Sequence, residues 1–337
     1  MSGENPPIVA LEGVHKRFSQ PLDAAARIVE LFRGGGGGGG VVHAVDGVDL
    51  AIAEGEVVGL VGESGCGKST LGRIIAGIDR ASAGVVRFRG ADVEGLTGAP
   101  ARACRLKVQM VFQDPFASLN PRYKVKDAIG EAARVHGVVG AADVAAYVDD
   151  LLLRVGLDRS YRDRYPHQFS GGQRQRICIA RALAVKPDFL VCDEAVAALD
   201  VSIQAQILNL VMDLKDQFGL TYLFISHDLG VVEHVSDRVV IMYLGRIVEA
   251  AATDDLFAAP NHPYTRALLT EVPRLDVRRR DFEPIQGEIP SPLDPPAGCH
   301  FHPRCPYATE RCRHERPILR EIAPGRLSAC HLNDETG

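Results

Sequence analysis

The sequence has no run of about 18 to 20 consecutive apolar residues, the length that a membrane-spanning helix needs. It also lacks a basic N-terminal segment followed by an apolar one, so no secretory signal is visible. Neither sign of charge dominates, since 38 basic residues stand against 43 acidic residues without a long run of either. We therefore expect a cytosolic protein that does not cross a bilayer by itself and does not bind nucleic acid.

The sequence also shows no internal repeat and no heptad run, and its 337 residues suit one large domain with an appendage. Strand patterns cover residues 8–18, 42–53 and 57–61, and strands alternate with helices again over residues 189–248. A helix-like stretch at 22–32 and seven glycines at 34–40 form a flexible insert, residues 19–41, to which we assign no function. Residues 115–168 are rich in helix formers, which favours an inserted helical subdomain.

The composition changes near residue 259 to proline, arginine, histidine and cysteine. This change predicts a loop-rich second module. We therefore expect an α/β nucleotide-binding domain over residues 1–258 and a small Cys-rich C-terminal module over residues 259–337.

A glycine-rich turn follows the apolar strand at 57–61 and precedes a helical stretch. The turn fits the pattern G-x-x-x-x-G-K-[ST], whose glycines let successive N–H groups and the helix N-terminus point at phosphates. Lys68 adds a positive charge, and the Ser69 hydroxyl is placed to ligate Mg²⁺. The residues predicted to bind nucleotide here are Gly62, Glu63, Ser64, Gly65, Cys66, Gly67, Lys68, Ser69 and Thr70.

A second apolar strand, residues 189–193, leads into two adjacent carboxylates, Asp193 and Glu194. Strand ends are where α/β sheets present their ligands. Next to a phosphate loop, Asp193 is expected to hold Mg²⁺ through water, and Glu194 to polarise the water that attacks the γ-phosphate. Without the phosphate loop, such a pair would more often just face solvent.

The stretch Phe169-Ser170-Gly171-Gly172-Gln173-Arg174-Gln175-Arg176 stands just upstream of that strand. With it, the sequence resembles the ABC ATPases, a family with a P-loop RecA-like core, an antiparallel β subdomain and an inserted helical subdomain. Ser170 and the two glycines precede a helix, so they form a second anion site. The resemblance implies that this signature, Ser170 to Gln173, binds ATP in trans, over the phosphate loop of a partner subunit.

Further positions match the family in order. They are Gln113 in Val111-Phe112-Gln113-Asp114-Pro115, Asp200 in Ala198-Leu199-Asp200, and His227 in Ile225-Ser226-His227-Asp228. The resemblance implies that Gln113 contacts Mg²⁺ and water, that Asp200 lies at the dimer interface and that His227 contacts the γ-phosphate. Phe18 matches the aromatic residue that stacks on adenine in this family. It is also a residue type that packs in cores.

Longer strings are similar to the F subunits of oligopeptide/dipeptide importers. Among them are residues 61–73, 113–122, 200–206 and 262–269. The resemblance implies a second, non-identical ATPase subunit, two membrane-spanning permease subunits and an extracytoplasmic solute-binding protein, with this chain at the cytoplasmic face of the membrane. Peptides are the expected solute, although similar ATPases serve nickel, haem, opines and glutathione. The other classes considered are a non-transport ABC ATPase and a redox-sensing binding module.

Four of the eight cysteines lie in the last 40 residues, with the spacing C-x5-C-x6-C-x17-C. Thiols close in sequence within a reducing compartment favour metal ligation over disulfides, and the spacing leaves zinc and iron–sulfur open. Four nearby histidines (His300, His302, His314 and His331) are alternative ligands if the metal is zinc. The family resemblance implies a [4Fe–4S] cluster on Cys299, Cys305, Cys312 and Cys330.

Overall fold

The computed structural model describes residues 6–19, 40–270 and 287–334. The predicted insert at 19–41 lies outside the described residues, except for Ser19, Gly40 and Val41 at its ends. The strands, in chain order, are β1 Val9–Ser19, β2 Val41–Ile52, β3 Val57–Val61, β4 Ala83–Phe88, β5 Ala91–Asp92, β6 Val108–Val111, β7 Phe189–Asp193, β8 Thr221–Ser226, β9 Arg238–Tyr243, β10 Arg246–Ala252, β11 Arg320–Ala323 and β12 Arg326–Ser328.

The helices separate or flank these strands. They are α1 Lys68–Ile75, α2 Gly98–Lys107, α3 Pro115–Ser118, α4 Val125–Val135, α5 Val144–Arg154, α6 Gly171–Leu183, α7 Val201–Phe218, α8 Leu229–Val235, α9 Thr253–Ala258, α10 Pro263–Thr270 and α11 Glu310–His314. Short 3₁₀ turns cover Arg159–Asp163, Pro166–Gln168, His302–Arg304 and His331–Asp334. No helix in these described ranges is both long and apolar enough to cross a membrane.

Two sheets organise the described residues. The larger has eight strands in the order β11-β12-β10-β9-β3-β8-β7-β6, and its five strands from β9 to β6 run parallel. The smaller sheet is antiparallel, in the order β2-β1-β4-β5. A parallel core beside an antiparallel sheet is the arrangement that the resemblance implies.

The parallel strands are buried on both faces, which is why they read as continuous apolar runs. Alternate residues of β3 enter two different cores: Val57 and Val61 pack in one, Val58 and Leu60 in the other. The second core also takes α1 and the inner face of the antiparallel sheet, and the first takes α4 to α8. The edge at which β3, β7 and β8 end is thereby held between two packed layers.

Residues 115–168 contain α3, α4 and α5, as the helix-forming composition indicates. The buried face of α4, with Val125 and Ile129, packs with Val148 and Leu152 of α5 in the first core. Ile177 of α6 belongs to the same core. The helix that follows the signature is therefore packed against the inserted helices.

The C-terminal segment, residues 287–334, corrects the expectation of a separate Cys-rich module. Strand β12 pairs antiparallel with β10, with Ser328 opposite Glu249, and β11 pairs with β12 at the edge of the main sheet. The buried Phe301 belongs to the first core. The segment therefore continues the nucleotide-binding core, and an independent module is not supported.

Candidate functional site

The phosphate loop lies between β3 and α1 and is shaped by glycines. Gly65 and Gly67 have φ of +79° and +108°, a region that residues with a Cβ rarely adopt. A Cβ on Gly62 or Gly67 would lie 2.1 Å from a backbone oxygen, of Met242 and Ala44 respectively. The loop therefore lies directly against the neighbouring backbone, and two of its glycines leave no room for a side chain.

Lys68 folds back over the loop that precedes it. Its Nζ donates to the carbonyl of Gly62 at 2.7 Å and to that of Glu63 at 3.0 Å, and the residue is only 4 % exposed. Its charge is thus held at the centre of the loop by carbonyl oxygens. A phosphate can displace these carbonyls from Lys68, because a hydrogen bond from an ammonium group to an anionic oxygen is stronger than one to a neutral carbonyl oxygen.

Ser69, the residue after Lys68, connects the phosphate loop to the end of strand β7 through a hydrogen bond. Ser69 Oγ donates to Asp193 Oδ1 at 2.8 Å, where β7 ends beside β3's loop. Burial raises the pKa of the Asp193 carboxyl, and the Glu194 charge raises it further, while the Ser69 hydrogen bond and Lys68 oppose the shift. The two oxygens form a small cradle of hard ligands, the donor type that Mg²⁺ prefers.

Glu194 sits in a turn just beyond the strand, with φ of +46°, which is uncommon for a residue other than glycine. Its Oε2 accepts a hydrogen bond from Gln113 Nε2 at 2.7 Å. Its Oε1 lies 3.4 Å from His227 Nδ1. Both carboxylate oxygens are thus oriented by side chains that follow β6 and β8, so three strand ends meet at this residue.

The signature residues are arranged locally. Ser170 is the N-cap of α6, where its Oγ accepts from the Gln173 N–H at 3.4 Å and its N–H donates to Gln173 Oε1 at 3.1 Å. A Cβ on Gly172 would lie 2.5 Å from Ile203 Cγ2, so the turn is packed against α7. Among the described residues, no hydrogen bond joins this turn to Lys68, Asp193 or Glu194.

The remaining predicted residues lie further out. Asp200 is the N-cap of α7, without a capping hydrogen bond from its side chain, on the helix against which the signature packs. Phe18 lies near the end of β1, opposite Val42, and is 41 % exposed, with Lys16 Nζ 4.9 Å from the ring centroid. Phe18 is therefore not a core residue, because its side chain is partly exposed to solvent.

The four C-terminal cysteines line one small pocket, with Phe301, His262 and His331. All four thiols are free, and burial raises the pKa of Cys299 and of Cys330 to about 11. In residues 6–19, 40–270 and 287–334, however, no group of three or more His, Cys, Asp or Glu side chains is placed to hold a metal ion. The structure thus gathers the cysteines but does not support the [4Fe–4S] cluster or the alternative zinc site.

Two contacts of the phosphate loop were missed by the sequence analysis. Arg304 pairs with the carboxylate of Glu63, and the Tyr264 hydroxyl accepts the Glu63 N–H. Tyr264 stands in one of the strings that carry the family resemblance, but nothing in the sequence indicates its target. Arg304 gives no local signal, since 241 residues separate it from Glu63.

The family comparisons agree with this geometry. The sequence model of the ABC transporter family matches residues 45–197, and that of the oligopeptide/dipeptide transporter C-terminal region matches residues 248–312. The chain therefore belongs to the ABC transporter ATP-binding family, and it is an ATPase.

The particular relatives come from peptide transport. The chain is 50 % identical over 295 residues to the oligopeptide transport ATP-binding protein AppF of Bacillus subtilis, which covers 86 % of this chain and 90 % of AppF. It is 48 % identical over 290 residues to the dipeptide transport ATP-binding protein DppF of Haemophilus influenzae, covering 86 % and 89 %. The match to oligopeptide and dipeptide transport ATP-binding proteins thus extends over most of both chains.

Two solved structures share the fold. CbiO1 of Clostridium perfringens, part of the ABC transporter complex CbiONQ, superposes with a TM-score of 0.61 at 26 % identity, covering 75 % of this chain and 91 % of CbiO1. The ATP-binding cassette MJ0796, dimeric and bound to ADP and Pi in a post-hydrolysis state, gives 0.62 at 26 % identity, covering 73 % and 98 %. Both support an ABC ATPase fold for this chain.

Proposed function

We propose that this chain is the ATP-hydrolysing subunit of an ABC importer for oligopeptides or dipeptides and works at the cytoplasmic face of the membrane. The observation that carries the proposal is the convergence of Ser69, Gln113 and His227 on the adjacent carboxylates Asp193 and Glu194. The peptide solute rests on the relatives, which are oligopeptide and dipeptide transport proteins.

In this proposal the nucleotide binds along the phosphate loop, with its triphosphate against the N-terminus of α1. Lys68 exchanges the loop carbonyls for phosphate oxygens, and Phe18 stacks on the adenine. Ser69 and Asp193, together with Gln113, would hold Mg²⁺, which neutralises phosphate charge. The 2.8 Å contact between Ser69 Oγ and Asp193 Oδ1 fits that role, since it places a hydroxyl oxygen and a carboxylate oxygen side by side.

Hydrolysis then depends on Glu194. Its carboxylate orients and polarises a water molecule, whose oxygen attacks the γ-phosphorus while the bond to the β–γ bridging oxygen breaks, which gives ADP and phosphate. Gln113 and His227 fix the two oxygens of Glu194 before the nucleotide arrives. When ATP is bound, His227 is positioned to reach the γ-phosphate.

The signature completes the site of another subunit. Ser170, Gly171, Gly172 and Gln173 present a helix N-terminus that no acidic residue of the first turn of α6 neutralises. We infer that this turn covers the γ-phosphate on a second, non-identical ATPase subunit, with Asp200 at the interface. ATP binding would close the two subunits on each other, and the closure would drive two permease subunits fed by an extracytoplasmic solute-binding protein.

The test is Glu194→Gln in the complex assembled in liposomes. We expect ATP turnover and peptide uptake to fall at least about 100-fold, because the water loses its base, while ATP affinity stays within about threefold. Glu233→Gln, on the exposed face of α8, is the matched control and should change neither quantity. Undiminished turnover and uptake in Glu194→Gln would refute the proposal.

The solute is tested in the same liposomes. Dipeptides or longer oligopeptides should stimulate ATP turnover when the solute-binding protein is present. Nickel, haem or glutathione should not. Stimulation by nickel, haem or glutathione instead of by peptides would show that the chain serves another class of ABC importer. The assignment as an ATPase would be unaffected.

We also propose that the chain divides near residue 258, between α9 and α10, into an ABC nucleotide-binding region and a C-terminal region whose strands extend the main sheet. We further propose a [4Fe–4S] cluster on Cys299, Cys305, Cys312 and Cys330. The cluster proposal rests on the four free thiols that line one pocket. Anaerobic purification followed by iron, sulfide and zinc analysis tests it. About four iron and four sulfide per chain would support the cluster, and stoichiometric zinc without sulfide would exclude it.

A further inference from the structure

The second residue of the phosphate loop, Glu63, has a partner in the C-terminal segment. Arg304 Nη1 donates to Glu63 Oε2 at 2.7 Å, and Arg304 Nη2 donates to Glu63 Oε1 at 3.0 Å. The Arg304 side chain is 5 % exposed and the Glu63 side chain 20 %. Two parallel charged hydrogen bonds in a largely buried setting fix both the position and the orientation of the carboxylate.

The backbone N–H and the backbone carbonyl of Glu63 are both hydrogen-bonded to side chains. The Glu63 N–H donates to the Tyr264 hydroxyl at 2.9 Å, and the Glu63 carbonyl accepts from Lys68 Nζ at 3.0 Å. Burial raises the pKa of the Tyr264 phenol, which therefore stays neutral and free to accept. Arg304 and Tyr264 thus fix the residue whose carbonyl holds the lysine of the phosphate site.

Arg304 is itself held rigidly. It ends the short turn His302–Arg304, and Phe301 just before that turn packs against Tyr243 and Tyr264 with ring centroids 5.3 Å away in both cases. Tyr243 and Tyr264 contact each other at 4.7 Å, and all three rings are fully or almost fully buried. A buried aromatic cluster of this kind leaves Arg304 little freedom to follow the loop.

The pair also matters for charge. Glu63 places a carboxylate in the loop that is to receive a triphosphate, and an unpaired carboxylate there would repel the nucleotide. The Arg304 guanidinium cancels that charge without offering a competing free cation, because both its Nη atoms are engaged by Glu63. The arrangement therefore both positions the loop and removes a local repulsion.

We propose that Arg304 of the C-terminal segment is a positioning residue for ATP binding, which acts through Glu63 on the phosphate loop and on Lys68. The proposal rests on nucleotide binding at this loop. It assigns the C-terminal segment a part in the ATP site of this chain that does not depend on any metal. It also predicts that loss of the Arg304–Glu63 contact lowers the affinity for ATP.

The test compares Arg304→Gln with Glu63→Gln/Arg304→Gln in the assembled complex. Arg304→Gln should raise the KM for ATP about tenfold with kcat within about twofold, because it frees the loop and leaves the Glu63 charge unpaired. The double variant removes that charge and should return the KM to within about threefold of the wild type. Arg311→Gln, which loses ion pairs only inside the C-terminal segment, is the matched control and should leave the KM unchanged.

Two results would overturn the proposal: an Arg304→Gln KM within twofold of the wild type, or a double variant no better than Arg304→Gln. Should Arg304→Gln not fold, Arg304→Lys keeps the charge but loses the two-pronged contact and should raise the KM about threefold. An unchanged KM in that variant also overturns the proposal. Each of these three results leaves ATP turnover by the wild-type complex in place, whereas a wild-type complex without turnover would refute the proposed function instead.

Discussion

The phosphate loop and the signature turn both place a glycine-rich stretch before a helix N-terminus, yet their contacts differ. The loop reaches far along the chain: Ser69 bonds Asp193, and Glu63 bonds Tyr264 and Arg304. The signature bonds mainly to itself through the reciprocal pair Ser170 and Gln173. The contacts of the phosphate loop thus join distant parts of the chain, whereas the hydrogen bonds of the signature turn are local.

This contrast supports the proposal that the signature turn completes the ATP site of a second subunit. The loop side offers a cation, a carboxylate cradle and an oriented base, whereas the signature side offers only backbone donors and a positive helix end. Neither side alone surrounds a γ-phosphate. The largest effects of substitution on ATP binding by the isolated chain should therefore fall on the loop side.

Lys68→Ala should show the largest loss. The variant removes the buried cation that the loop carbonyls now hold, and ATP affinity of the isolated chain should fall about 100-fold, which corresponds to about 3 kcal/mol. Titration calorimetry with Mg-ATP measures it. An affinity within about threefold of the wild type would show that the nucleotide does not bind along this loop.

Phe18→Ala should have a smaller effect. Stacking of a base on an aromatic ring is worth about 1 kcal/mol or more, so ATP affinity should fall about fivefold. Phe218, on α7 and similarly exposed at 40 % against 41 %, supplies the control Phe218→Ala. If both variants bind ATP like the wild type, Phe18 does not stack on the adenine, and the phosphate loop accounts for ATP binding without it.

Asp193→Asn should have the smallest effect, on stability. Burial raises the pKa of Asp193, so the carboxyl favours folding when protonated and opposes it as pH rises through the raised pKa. Without nucleotide, the variant should melt slightly above the wild type at pH 7, with the difference shrinking as pH falls toward 4. A lower Tm for the variant at pH 7 would contradict this, and Asp200→Asn at the signature side should be neutral.

The features that are contiguous in sequence could be predicted from it. Three contiguous patterns made this possible: the phosphate loop, the strand before Asp193 and the signature. Their combination of glycines, hydroxyls and carboxylates is specific for nucleotide binding. Strand β3 was predicted at its observed bounds, and the positions of β1 and β2 within about one residue. The proximity of Ser69 to Asp193, 124 positions later, could be predicted because each comes at or after the end of an apolar strand, and α/β sheets present their ligands at strand ends.

The parts that were not predictable depend on long-range packing. Strands β11 and β12 span only four and three residues, too short for a periodic pattern, so their pairing with β10 could not be foreseen. The change of composition near residue 259 predicted a separate C-terminal module, whereas strands β11 and β12 of this segment continue the main sheet. The contact between Arg304 and Glu63 has no signature in either residue's neighbourhood.

The most direct test of the account compares Ser170→Arg with Lys68→Ala for ATP affinity of the isolated chain and for turnover of the assembled complex. We expect Ser170→Arg to bind ATP in isolation within about twofold of the wild type, and we expect turnover of the assembled complex to fall by about 100-fold or more. If Ser170→Arg weakened ATP binding by the isolated chain as much as Lys68→Ala does, the signature would act within its own chain, and the composite site proposed here would be wrong.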